Sequence, residues 1–250
     1  MPGVTLRPMP MDFQPEALQR LLELQAEDTA IKRLDERRAS LPEAARLAEV
    51  NGQLAELESD LEIAQKQSAE IAREQDRIEG EIGILEEKIG REEQRLFSGV
   101  VANPKELSAL QAEVEMLKRR KAGLEDGLLE VMVQKDDATA TLERLTAEHE
   151  ASSKESEELG KTVAKLIGDI DAELAAHRTA RDEIATGLPD DLLSLYEKIR
   201  QAKGGVGAAA LKAGTCEGCH TSLPSREVER IKKEGGLQRC ENCRRILVVV

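Results

Sequence analysis

The chain has 250 residues, of which 34% are charged and 1% aromatic, and a formal net charge of −13 at pH 7. Phe13, Phe97 and Tyr196 are its only aromatic side chains, too few for the buried area of a compact globule of this length. The acidic excess excludes a general cationic coat for nucleic acid, while leaving room for a local basic patch.

Ala, Glu, Leu, Lys and Arg dominate the composition, as in long helices and coiled coils. No apolar run approaches the ~18 residues of a membrane span, so no membrane partner is expected. The N-terminal stretch carries Pro2, Pro8 and Pro10 and lacks the apolar core of a signal peptide. Residues 1–14 therefore read as a disordered leader. A cytoplasmic, reducing setting follows for the four cysteines, where disulfides are rare.

From Pro15 to about Ser40 the chain reads as a separate helix, with Leu18, Leu21, Leu22, Ile31 and Leu34 as its apolar face. Pro42 interrupts it. From Leu47 to Leu96 an apolar residue recurs at alternating spacings of three and four, broken only at Ser68, Gln75 and Glu92. A 3.5-residue period sustained this long predicts a coiled-coil seam. The repeat stops at Phe97-Ser98-Gly99-Val100-Val101-Ala102-Asn103-Pro104 and restarts in a new frame from Leu107. Asn103, Pro104 and Glu106 have the order of a helix N-cap, first helical residue and capping-box acid. The second repeat runs through Leu145, weakens at His149, Ser152 and Ser156, and resumes from Leu159 to Ile170. Two such helices joined by a short loop fold as an antiparallel hairpin, in which paired residues lie equidistant from the loop. The expected hairpin covers residues 15–187 with its tip at 97–104. A kink is expected where Pro42 faces the weakened seam, near 40–52 and 149–160.

Residues 188–250 change character. Asp190–Gln201 reads as a short helix; Gly204, Gly205 and Gly207 as a flexible joint; Val206–Leu211 as a short strand. Cys216-Glu-Gly-Cys219 and Cys240-Glu-Asn-Cys243 are two C-x2-C pairs at the spacing of a structural zinc site. Each pair holds one edge of a tetrahedron, and Gly218 and Asn242 are expected to take the left-handed backbone of the tight turns. All four positions are filled by thiolates, which leaves no place for a catalytic water. His220 is expected at the surface. One structural Zn2+ is expected to supply much of the ribbon's stability, beside a short helix at 224–231 and a strand at 246–250. The fold class is mainly α: a long antiparallel coiled-coil hairpin with a small C-terminal C4 zinc ribbon of α+β type.

With these parts in order the chain resembles the bacterial C4-type zinc-ribbon, coiled-coil family, which includes a flagellar regulator of epsilon-proteobacteria and a chlamydial relative. Two stretches carry the resemblance: the tip from Leu96 to Gln111, and the ribbon from Gly214 to His220 and from Cys240 to Leu247. The chain looks like an actinobacterial member of that family. The resemblance implies binding, not catalysis. Some relatives bind the nitrogen-type sigma factor and influence flagellin messenger RNA, which implies a protein partner in the transcription apparatus. The fold carries over with the resemblance; the particular partner does not.

Three surfaces are candidates for partners. At the tip, Phe97, Val100, Val101, Asn103, Pro104 and Lys105 offer apolar groups that a turn does not need, unless they pack on one another. Lys118, Arg119, Arg120 and Lys121 form a basic run for phosphate or an acidic partner, or a solvated helix face balanced by Glu113 and Glu115. In the ribbon, Arg244 and Arg245 are the candidate contacts to nucleic acid, without an aromatic platform beside them. No catalytic residues, phosphate-binding glycine loop or small-molecule substrate site is legible. The expected function is a non-enzymatic adaptor or regulator that binds protein. Nucleic-acid binding through the ribbon and a self-associating structural coil are the alternatives, and the oligomeric state stays open.

Overall fold

The computed structural model describes residues 13–250. The expected leader falls outside the described residues up to residue 12; Phe13 packs against a core cluster that includes Leu18, Leu21, Leu192 and Tyr196. The elements run α1 (Pro15–Ala39), α2 (Pro42–Phe97), α3 (Pro104–Thr186), α4 (Asp190–Ala202), β1 (Ala208–Lys212), β2 (Thr215–Cys216), β3 (Thr221–Ser222), α5 (Ser225–Glu234), β4 (Gln238–Arg239) and β5 (Ile246–Val249).

Helix boundaries follow local chemistry. Ser40 and Leu41 separate α1 from α2, and Pro42 opens α2, where its missing N–H has no helical partner to lose. The Asn103 side chain accepts the Lys105 N–H at 3.0 Å and caps α3, with Pro104 as its first residue. α3 is helical without interruption through 149–160, where Ser156 donates to Asn51 at 2.7 Å.

The chain divides into two compact units: residues up to 45 together with 161–250, and residues 46–160. In the second unit α2 and α3 run antiparallel. The residues α2 buries there, Val50, Ala64, Ile78, Leu85 and Ile89, all belong to the apolar repeat, as do Leu110, Val114, Leu117 and Leu145 of α3. Ion pairs flank the seam: Lys88–Glu113 at 3.0 Å, Lys121–Glu86 at 2.7 Å and Arg46–Glu155 at 2.9 Å. These pairs are exposed on at least one side and add little stability individually. Lys88–Glu113 and Arg46–Glu155 are equidistant from the loop, as a simple fold-back requires.

In the first unit α1 does not extend the hairpin seam alone. Its Leu18, Leu21 and Leu24 pack with Leu188, Leu192, Tyr196 and Ile199 and with Ala208, Ile246 and Val248 of the sheet. The sheet has the order β3-β2-β1-β5-β4, with β1 and β5 parallel and the other pairs antiparallel. A ribbon with so few residues buries little area by itself, so β1 and β5 gain their apolar cover from α1 and α4.

The glycine segment after α4 is pinned rather than free. The buried Gln25 amide oxygen accepts the Gly207 N–H at 2.7 Å and the Ala208 N–H at 3.3 Å, and its nitrogen donates to the Gly205 carbonyl at 3.0 Å. Lys32 donates to the Gly204 carbonyl at 2.8 Å. A Cβ at Gly207 would lie 2.8 Å from the Tyr196 ring. Glycine serves close approach at Gly207 and a left-handed backbone at Gly204 (φ 68°) and Gly205 (φ 98°), and the hydrogen bonds to Gln25 and Lys32 stand against the expected flexible joint.

Candidate metal centre and hairpin tip

The four cysteines come from two knuckles. Cys216 ends β2 and Cys219 follows it in the turn before β3; Cys240 follows β4 and Cys243 stands before β5. Cys216 Sγ lies 3.9 Å from Cys243 Sγ, and Cys219 Sγ lies 3.8 Å from Cys240 Sγ. All four sulfurs fall within 4.8 Å of one another, and none is in a disulfide. Zn–S bonds of about 2.3 Å in a tetrahedron place sulfurs about 3.8 Å apart. The donor set and its spacing therefore fit zinc, and every ligand position is taken by sulfur.

Each knuckle is built by backbone hydrogen bonds. The His220 N–H donates to the Cys216 carbonyl at 2.7 Å, and the Arg244 N–H to the Cys240 carbonyl at 2.8 Å. The left-handed residues are His220 (φ 54°) and Arg244 (φ 64°), one place after each second cysteine. This corrects the expectation for Gly218 and Asn242. Gly218 serves clearance instead: a Cβ there would lie 2.8 Å from the Ala209 Cβ and 2.9 Å from the Arg245 Cδ. Asn242 ties the knuckles together, donating to Thr221 Oγ1 at 2.9 Å.

The thiols differ in their surroundings. Burial pushes Cys216 up to about 12, and it also raises Cys240. Hydrogen bonding from the Thr221 side chain, aided by its backbone and by Asn242, lowers Cys219 to about 6. His220 is exposed.

Arg245 is committed to structure. Its guanidinium donates to the carbonyls of Val206 at 3.0 Å, Gly218 at 2.8 Å and Lys203 at 3.1 Å. It clamps the first knuckle to the segment after α4. Arg244 beside it is exposed.

Behind the ribbon lies a polar cluster that sequence reasoning missed. Asp28, buried on α1, receives the Tyr196 hydroxyl at 2.6 Å and Arg181 Nε at 2.9 Å, with Arg200 Nε at 3.5 Å. Glu197 bridges Arg181 and Arg200. Burial, then the Asp28 hydrogen bond, raises the Tyr196 hydroxyl well above its usual range.

At the hairpin tip, Phe97 is 80% exposed and Val100 83% exposed, while Val101 is half-buried. Asn103, Pro104 and Lys105 are exposed. Phe97 and Val100 thus do not cover one another. The basic run is partly spent: Lys118 pairs with Glu93 at 2.6 Å, and Lys121 with Glu86 and Glu125. Arg119 donates to the Glu115 carbonyl at 3.4 Å, and Arg120 is exposed.

A long helical hairpin joined to a four-cysteine ribbon defines a class of metal-binding coiled-coil protein. Residues 24–204 match the CT398-like coiled coil hairpin domain, and residues 215–247 match the C4-type zinc ribbon domain. The chain belongs to the CT398-like coiled-coil hairpin family. An uncharacterized protein of Mycobacterium tuberculosis is 29% identical over 233 residues, covering 91% of this chain and 93% of that protein. A solved structure from Mycobacterium smegmatis superimposes with a TM-score of 0.82 at 26% identity, covering 96% of this chain and all of that one. The structure of CT398 from Chlamydia trachomatis shares the fold, with a TM-score of 0.69 at 21% identity over 94% of this chain and 98% of its own. No described helix is long and apolar enough to cross a membrane.

Proposed function

We propose that this chain is a non-enzymatic adaptor of the cytoplasm, held together by one structural Zn2+, that engages a protein partner through its hairpin tip. The exposure of Phe97 and Val100 at the end of a helical arm carries this reading. A turn needs only the Gly99 backbone (φ 74°) and the Asn103 cap. Two large apolar groups held in water beyond that need a socket to enter. The transcription apparatus is the partner class that the family resemblance suggests.

Nucleic-acid binding through the ribbon has less support. Arg245 is occupied by three carbonyls, and Arg230 by Glu227 and Glu234.

The test is co-purification with mass spectrometry, comparing the intact chain with one carrying Phe97→Ser, Val100→Ser and Val101→Ser. A protein lost only from the variant identifies the partner and assigns it to the tip. An unchanged set of co-purifying proteins refutes the tip as the site. Metal analysis of the purified chain should find one zinc per chain.

A further inference from the structure

A second exposed surface lies along α3, well away from the tip loop. In the stretch Leu128-Leu129-Glu130-Val131-Met132-Val133 the helix stops being amphipathic. Leu128 and Val131 are half-buried positions of the repeat. Leu129, Met132 and Val133 are 62%, 45% and 61% exposed. At about 100° per residue these three cover roughly a third of the helix circumference as one continuous stripe. Apart from the tip, large apolar groups in water are scattered singly in this unit, as at Ile63 and Ile84 on α2, and need no explanation.

The charges around the stripe are the second observation. Toward the tip, three acids of the hairpin are met across the seam, Glu113 by Lys88, Glu93 by Lys118 and Glu86 by Lys121, though Glu106 and Glu115 are not. Around the stripe this stops. Asp126, Glu130, Asp136 and Asp137 are exposed and have no ion pair among the described residues. Lys135, the one cation between them, reaches Gln75 at 2.9 Å. Unpartnered apolar groups and unpartnered carboxylates thus coincide within the same few turns of one helix.

We propose that this stripe is a docking face for a basic amphipathic helix of a partner protein. Such a helix presents apolar residues at i, i+3 and i+4 to Leu129, Met132 and Val133, with Lys or Arg along the flank beside Val133 to meet Asp126, Glu130 and Asp137, and a further one at its end to meet Asp136. A second copy of this chain fits less well: it brings the same acidic rim to the contact, on top of a net charge of −13. The face is independent of the tip, so each fails or stands alone.

The probe is a fluorescent Leu/Lys amphipathic peptide of about five helical turns, measured by anisotropy against the full zinc-loaded chain. A peptide of the same composition in scrambled order serves as its control. The amphipathic peptide should bind at least about tenfold more tightly than the scrambled one. Leu129→Ser with Met132→Ser and Val133→Ser should weaken it by at least about tenfold. Asp126→Asn, Glu130→Gln, Asp136→Asn and Asp137→Asn together should also weaken it and flatten its salt dependence. These side chains face water, so helicity by circular dichroism should match in all variants. Equal binding of both peptides, or full binding by the Ser variant, overturns the proposal. Sedimentation showing a dimer that the Ser variant dissolves also overturns it, because a second copy then covers the face.

Discussion

The Tyr196 hydroxyl donates to Asp28 at 2.6 Å, linking α4 to a buried carboxylate on α1. Two arginines complete the site, and the Tyr196 ring lies against Gly207 at the start of the ribbon. Tyr196→Phe keeps the ring and removes the donor. The unfolding transition of this unit should lose about 1–3 kcal/mol, read from urea titrations followed by circular dichroism. An unchanged midpoint would show that Arg181 and Arg200 satisfy Asp28 without the tyrosine.

Tyr196 is the sole tyrosine and there is no tryptophan, so intrinsic fluorescence reports on the ribbon's seat. Stripping zinc with a strong chelator should change that fluorescence and leave most of the helical circular dichroism, because the ribbon depends on its metal and the coiled coil does not. Cys216→Ser should reproduce the effect without chelator. A fluorescence signal indifferent to both treatments would mean that α1 and α4 hold the sheet unaided.

The knuckles predict a contrast between neighbouring positions. Gly218→Ala forces a methyl against Ala209 and Arg245 and should cost about 1–3 kcal/mol. His220→Gly relieves a left-handed residue at φ 54° and should be neutral or stabilising by up to about 1 kcal/mol. Competition with a zinc indicator dye ranks the two: the alanine variant should surrender zinc more readily than the glycine variant.

Gln25→Ala removes the acceptor of two buried N–H groups and the donor to Gly205. The expected cost is about 2–3 kcal/mol. Limited proteolysis should then cut between residues 203 and 207 faster than in the parent chain. Equal cleavage rates would place the hold on this segment with Arg245 and Lys32 instead.

The parts governed by short-range pattern were legible from the chain. The 3.5-residue repeat set out α2 and α3, Asn103-Pro104 marked where α3 begins, and the spacing of Cys216, Cys219, Cys240 and Cys243 announced the metal centre. Much of what stayed hidden depends on contacts between parts far apart in the chain, from 27 residues at Arg245 to 182 at Gln25. Gln25 and Asp28 look like ordinary polar positions on a charged helix until Tyr196, Arg181 and Gly207 arrive beside them. Arg245 reads as a free cation because nothing local shows the three carbonyls that surround it. The backbone signs at His220 and Arg244 were missed because glycine and asparagine nearby are the usual occupants of such turns. At Gly218 the shortage was of space rather than of permitted φ. The acidic rim of Leu129, Met132 and Val133 is present in the sequence, but its lack of partners is visible only once the ion pairs of the hairpin are drawn.

The hydrogen bond from Gly207 to Gln25 joins residues 182 positions apart, and this separation sets an order of events. Closing so long a loop in an unstructured chain is entropically costly and slow. Zipping α2 against α3 shortens the route, since contacts such as Arg46–Glu155 bring the two ends of the intervening segment together first. The arm is then a kinetic device as well as a reach: the seat of the zinc ribbon assembles at the pace of the hairpin, and substitutions that slow the zipper should delay a metal site they never touch.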